Sequence, residues 1–394
     1  MNDFTWINAH LHEDAAALRL KYGHARDCDI LQIECRQRFA TKLAATLASD
    51  PHFVFPSLLA GEQATSDALA RYHASLIPSG ATVADLTAGL GIDAIAMAGR
   101  SGHVVAVEPD DVTADVLRYN TSRYPQIDVV HGDCRQFVSD AVEASRHFDV
   151  MFIDPARRDS AGGRTFALDD CTPDVTGMLP MLRQVCDMLV VKASPMLDIA
   201  HTIARLPGTA RIIVLGTTLE CKELDAVVDF AAHDNPDIDA VTVCPDGYSI
   251  FNFTRDGEAS AEASFGIPGP GQYVLDPYPA VMKAAPFKTL CHRYGLMKPA
   301  ANTHLWFGDT IPDSFPGRSY LVDEVIEYAS KHIKRYAPRH PRVGVTVRNF
   351  GLQAKDLRLR LGVRDGSGRL FAVTGVVGRR WLITTEPPIP CKKD

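Results

Sequence analysis

Apolar and polar positions change rhythm twice along this chain. Residues 10–48 are rich in helix formers, among them Ala15-Ala16-Ala17-Leu18-Arg19-Leu20 and a longer segment at 29–48, and read as helical. Asp50-Pro51 and Pro56 interrupt that pattern, because proline cannot continue a helix. A third helix is predicted at about 62–77, closed by Pro78-Ser79-Gly80. Short apolar runs then recur at 82–86, 103–107, 127–130, 148–153, 188–191 and 211–215, with amphipathic segments of helical length between them. Such alternation predicts a parallel sheet with helices on both faces, so the block from about 80 to 235 reads as a doubly wound α/β domain.

A second change follows. Runs at 240–244 and 248–254 flank Pro245-Asp246-Gly247, a hairpin signal, and 256–272 read as a loop or linker. From 273 onward the pattern is α+β. It predicts a Pro-rich helical piece to 307, a helix at about 323–335, and short strands at 343–347, 357–361 and 370–373.

A length of 394 residues predicts two or three domains, and 46% apolar with 23% charged residues excludes disordered and fibrous classes. No apolar run approaches the roughly 18 residues of a membrane span. The opening Met1-Asn2-Asp3-Phe4-Thr5-Trp6 lacks a basic region followed by an apolar one, so no signal peptide is expected. Nine cysteines without a C-x-x-C pair suit neither a disulfide framework nor a zinc site, and a cytoplasmic, metal-free protein is expected. The net charge of −7 conceals an asymmetry: residues 316–394 hold 16 Lys and Arg against 7 Asp and Glu. A basic module on an acidic body suits a polyanion such as RNA; a merely solvated basic face is the plain alternative.

The chemistry concentrates after the first strand, in Asp85-Leu86-Thr87-Ala88-Gly89-Leu90-Gly91-Ile92-Asp93. A strand runs into a glycine turn and a helix begins at once, the place where ligands sit in open α/β sheets. Gly89-x-Gly91-x-x-Ala94 also satisfies the relaxed dinucleotide fingerprint. Charge separates the two cofactor classes. A pyrophosphate at the helix N-terminus would face Asp85 and Asp93, whereas the ammonium and sulfonium of S-adenosylmethionine favour nearby carboxylates. Glu108 ends the next strand 17 residues after Gly91, suited to ribose hydroxyls of either cofactor. Asp133 follows the third strand, where it can accept from an adenine amino group or simply cap a helix. Asp85, Thr87, Ala88, Gly89, Gly91, Asp93, Glu108 and Asp133 are the cofactor candidates.

The fourth strand ends in Asp154-Pro155-Ala156-Arg157-Arg158-Asp159. Asp154 and Pro155 match the start of the Asp/Asn-Pro-Pro-aromatic segment with which class I methyltransferases modify nitrogen. Ala156 and Arg157 replace its second proline and aromatic, and Arg157 can stack on a base through its guanidinium plane. Residues 155–174, including Arg158 and Arg164, read as a substrate loop over the strand ends.

Together with Asp170-Cys171-x-Pro173-Asp174, Ser194-Pro195-Met196-Leu197-Asp198-Ile199, Glu220-Cys221-Lys222-Glu223-Leu224, Phe315-Pro316-Gly317-Arg318 and Arg348-Asn349-Phe350, these segments carry a resemblance. The chain resembles the bacterial class I S-adenosylmethionine-dependent methyltransferases with a ferredoxin-like segment and a C-terminal THUMP-like domain. The resemblance implies a helical N-terminal region at 1–79, a Rossmann-like methyltransferase domain at 80–255, a ferredoxin-like segment at 273–315 and a basic THUMP-like domain at 316–394. THUMP domains in general bind structured RNA, so the resemblance also implies a tRNA or rRNA substrate. Phosphate-contact candidates are Lys331, Lys334, Arg335 and Arg348, with Arg339, Arg342 and Lys355 beside them. The leading expectation is an RNA methyltransferase in which Asp154, Pro155 and Arg157 serve the acceptor. Its rivals are a methyltransferase acting on a protein or small molecule, and a non-catalytic RNA-binding protein; a nicotinamide enzyme ranks last.

Overall fold

In the computed structural model, which describes residues 2–157, 168–231 and 233–390, six helices precede the first strand. They are Phe4–Ala9, Ala15–Tyr22, Asp27–Phe39, Ala44–Ser49, Leu58–Gln63 and Asp67–Leu76. The helix predicted at 29–48 breaks after Phe39 and resumes at Ala44. The one predicted at 62–77 is two, because the Ser66 side chain accepts from the amide of Leu69 and starts a new helix. Phe39, Phe53, Phe55 and Ala70 share one buried cluster with Leu90 and Ile92 of the glycine turn. The N-terminal helices therefore buttress the turn itself.

The chain divides into two units, residues 1–210 with 224–233 and residues 211–223 with 234–394. The first holds β1 (Thr82–Asp85), β2 (His103–Glu108), β3 (Ile127–His131), β4 (Phe148–Ile153) and β5 (Cys186–Ala193). β6 (Thr209–Thr217) lies mostly in the second unit, and β7 (Cys221–Val228) returns mostly to the first. Strands of the first unit lie in the order β3-β2-β1-β4-β5-β7. All are parallel except β7, which runs antiparallel to β5. The pattern of 80–235 showed no strand at β7. An all-parallel dinucleotide sheet has the sixth strand at that place. In β1, Asp85 lies opposite Ala106 of β2 and Phe152 of β4, so the carboxyl ends of three neighbouring strands form one edge.

In the second unit, β8 (Asp237–Cys244) and β9 (Gly247–Thr254) form the predicted hairpin, with Cys244 opposite Gly247. In the segment 256–272, expected as a loop, the first five residues belong to the helix Arg255–Ser260, whose N-cap Thr254 accepts from the amide of Gly257, and the rest is irregular apart from the short strand Ser264–Phe265. Beyond it, β10 (Tyr273–Pro277), β11 (Trp306–Gly308), β12 (Gly317–Glu327), β13 (Arg342–Arg348), β14 (Arg364–Thr374) and β15 (Arg380–Thr385) belong to an eight-stranded sheet. Helices Pro279–Ala284 and Phe287–Tyr294 stand between β10 and β11, where a single helical piece was expected.

Two further expectations fail. Of the helix predicted at 323–335, residues 323–327 complete β12, where a register shift between Val322 and Glu324 in the β12–β15 pairing interrupts the alternation, and only Ser330–Ile333 is helical. The strand predicted at 357–361 is the helix Ala354–Leu361. β13 and β14 are parallel neighbours, and parallel strands need a crossover rather than a hairpin. As a strand, Leu357, Leu359 and Leu361 would share one face; in the helix Leu357 is fully buried and Leu359 is 71% exposed. Leu357→Ala should accordingly lower unfolding stability by about 2–5 kcal/mol, with Leu359→Ala within about 0.5 kcal/mol of wild type in urea melts. Equal losses at both positions would contradict the helix.

Candidate functional site

Asp85 ends β1 and is almost wholly buried. One carboxylate oxygen accepts from the amide of Thr87 at 3.2 Å, while Oδ2 is buried with no hydrogen-bond partner in the protein. Burial, and then the charge of Asp93, push its pKa up from 3.8 to about 8, so the carboxyl holds a proton at neutral pH. The turn that follows needs glycine for two different reasons. Gly91 has φ +85, and a Cβ there would meet Leu117 Cδ1 at 2.6 Å. Gly89 has φ +53, the left-handed region that favours glycine, and a Cβ there would meet nothing within 4 Å.

Glu108 ties this turn to the end of β2. Its two oxygens accept from the amides of Gly89 and Asp110, each at 3.0 Å. The Thr87 hydroxyl accepts from the amide of Asp154 at 2.8 Å, fixing the end of β4 beside the end of β1. Ala88 donates its amide to the carbonyl of Val107. Thus Asp85, Thr87, Ala88, Gly89, Gly91, Glu108 and Asp154 come together along one edge. Asp133 stands exposed at the end of β3, where its side chain caps the helix Cys134–Glu143 through the amides of Arg135 and Gln136.

Asp93 lies behind the turn. His73 Nδ1 approaches its Oδ1 at 2.7 Å, and the Thr65 hydroxyl bonds its Oδ2. Burial alone would raise its pKa; the neighbouring His73 and Lys192 charges and these bonds override that and hold it well below the ordinary carboxylate range. His73 is fully buried, with Nε2 3.5 Å from Asp225 of β7. Lys192, near the end of β5, donates to Thr65 Oγ1 at 2.9 Å and to Asp154 Oδ2 at 2.5 Å. A continuous polar chain, Asp93–Thr65–Lys192–Asp154, therefore joins the glycine turn to the acceptor candidate. Sequence reasoning missed Thr65, His73 and Lys192. The available signals were a lysine at a fifth-strand end and a histidine on the apolar face of the helix before β1.

Pro155 is buried directly after Asp154, and Arg157 pairs with Cys171 in a two-stranded ribbon. Arg158 and Arg164 lie outside the described residues. In the second unit Lys331, Lys334 and Arg335 are exposed around the short helix Ser330–Ile333. Arg348 is half-buried in an ion pair with Asp276 at 2.9 Å, and Arg339 pairs with Glu324.

A glycine turn with an unsatisfied buried carboxyl, further acids on adjacent strand ends and a reversed β7 set this site apart from the all-parallel dinucleotide-binding sheet. The family described as THUMP domain-like matches residues 317–387, and that described as a ferredoxin-like domain matches 273–316. An uncharacterized S-adenosylmethionine-dependent methyltransferase, found in two Mycobacterium tuberculosis strains, is 26% identical over 333 residues, covering 81% of this chain and 87% of that protein. The crystal structure of a candidate methyltransferase from Porphyromonas gingivalis W83 matches with a TM-score of 0.88 at 28% identity, covering 98% of this chain and 97% of that one. Residues 273–387 thus match a ferredoxin-like and a THUMP-like domain, and most of the chain is similar to S-adenosylmethionine-dependent methyltransferases. No helix among the described residues is long and apolar enough to cross a membrane.

The state of Asp85 has a measurable consequence. Its folded pKa, about 8, lies above its unfolded value of 3.8, so its contribution to stability is complete below the unfolded value and is lost as pH rises toward the folded one. Asp85→Asn removes this dependence. The stability advantage of the variant should grow by at most about 1.4 kcal/mol per pH unit between about pH 5 and 8, read from urea midpoints. Parallel pH curves for the two proteins would show that Asp85 is charged in the folded chain.

Proposed function

We propose that the protein transfers a methyl group from S-adenosylmethionine to a base nitrogen of RNA, in tRNA or rRNA, held by the basic C-terminal module. The observation that carries this reading is an acid-lined glycine turn in a chain whose THUMP-like end holds 16 basic against 7 acidic residues. Asp85, Thr87, Ala88, Gly89, Gly91 and Glu108 form the cofactor cradle, with Asp93 supporting the turn from behind and Asp133 at the adenine side. The fit rests on chemistry: the Asp85 carboxyl, with one buried oxygen lacking a partner, can ionise opposite a cation, whereas a pyrophosphate would oppose that ionisation. S-adenosylmethionine, when bound, supplies a methyl group on an electrophilic sulfonium.

The remaining work belongs to the chain's own residues. Asp154 presents a half-exposed carboxylate, its Oδ2 held by Lys192, to accept a hydrogen bond from the acceptor amine and align the nitrogen lone pair. Pro155 fixes the turn behind it. Exposed Lys331, Lys334 and Arg335 contact phosphates, whereas Arg348 is already committed to Asp276. Alignment of this kind needs no protein nucleophile.

Incubation with labelled S-adenosylmethionine and total RNA, protein and metabolite fractions should label RNA alone. Label in protein or metabolites would favour an acceptor of that class. Asp154→Ala should lower transfer at least about a hundredfold while cofactor affinity stays within about threefold. Unchanged turnover would remove Asp154 from the site.

A further inference from the structure

The β14–β15 hairpin closes through Gly375-Val376-Val377-Gly378-Arg379, and its tip is chemically unusual. Val377 is 96% exposed and Val376 47% exposed, two adjacent aliphatic side chains that bury little within the fold. Val377 also takes φ +57, ψ 22, a left-handed conformation disfavoured for a β-branched residue. Glycine would relieve both penalties, and Gly378, at φ +71, takes that region beside it. The tip is nonetheless tightly held: the amide of Gly375 donates to the carbonyl of Arg379 at 2.7 Å, and Thr374 pairs with Arg380.

Next to this apolar point stands a flat cationic platform. The Arg380 guanidinium lies 4.9 Å from the ring centroid of Tyr328 and 5.6 Å from that of Phe350. The two rings meet edge to face at 4.9 Å. Arg360 approaches Tyr328 at 5.7 Å from its ring centroid. The Tyr328 amide donates to the carbonyl of Arg380 at 2.8 Å, locking the platform to the hairpin. Arg379 is exposed beside it, and Glu327 is an exposed acid preceding Tyr328.

We propose that this hairpin tip is an RNA-docking element, in which Val376 and Val377 wedge against unstacked bases of a loop while Arg379 and Arg380 take the adjoining phosphates and stack. The inference rests on RNA being the substrate and deepens that reading by naming where and how the module grips it. An anionic polymer with exposed flat apolar faces matches both halves of the surface: stacking suits an oriented guanidinium, and a small rigid apolar wedge suits a base step rather than a continuous paired helix.

Fluorescence anisotropy with the full-length protein tests this, using a labelled RNA hairpin with a single-stranded loop and a fully paired RNA duplex of equal length. The double variant Val376→Ser, Val377→Gly retains the turn, because glycine suits the Val377 conformation. It should bind the hairpin RNA about tenfold more weakly than wild type with an unchanged salt slope, while duplex affinity stays within about twofold. Arg380→Ala should weaken binding and reduce the salt slope by about one. Wild-type protein should raise the fluorescence of a 2-aminopurine placed in the loop, and the double variant should not. Loop binding by the double variant within twofold of wild type, with the 2-aminopurine response intact, would overturn the docking element alone. Failure of wild type to bind either RNA would overturn it together with the RNA reading. Loss confined to flotation with phosphatidylserine vesicles would overturn it in favour of a membrane contact.

Discussion

Buried carboxylates around one glycine turn set the terms for the methyltransferase unit. An isolated ionised carboxylate in a low-dielectric interior is costly, so each must be paired, hydrogen-bonded or neutral. Glu108 is satisfied by two backbone amides, and Asp93 by His73 and Thr65. Asp154 is held by Lys192. Asp85 receives one amide and stays neutral by holding its proton. The arrangement leaves one acid of the turn short of partners. That shortage favours a cationic cofactor because the charge which would satisfy the site must arrive from outside.

The same accounting gives the N-terminal helices a chemical place. Thr65 and His73 come from the segment before β1, yet they contact Asp93 and, through Thr65, Lys192. A single hydroxyl thus stands between the glycine turn and the Lys192–Asp154 pair. The aromatic cluster of Phe39, Phe53 and Phe55 packs on Leu90 and Ile92, so the scaffold that orients these groups also fixes the turn.

Much of this was legible before any coordinates. The first six strands of the α/β block, the hairpin at 237–254 and the convergence of Asp85, Gly89, Glu108 and Asp154 follow from short apolar runs, turn residues and the rule that strand ends carry ligands. What escaped has physical causes. β7 was hidden because Cys221-Lys222-Glu223-Leu224-Asp225 places charges within a strand that is largely buried. The bulge in β12 shifted the phase of an otherwise plain strand, and Leu357, Leu359 and Leu361 alternate as a strand would although a crossover is required there. Thr65, His73 and Lys192 are far apart in sequence, and only the tertiary fold brings them to Asp93 and Asp154.

The most direct measurement is calorimetric titration of the protein with S-adenosylmethionine and with NAD at pH 7, in buffers of differing ionisation enthalpy. A neutral Asp85 that becomes charged opposite a cationic cofactor predicts binding of S-adenosylmethionine with release of roughly one proton, absent in Asp85→Asn, and no measurable binding of NAD. Tight binding of NAD, or uptake of S-adenosylmethionine without proton release in the wild-type protein, would contradict the account.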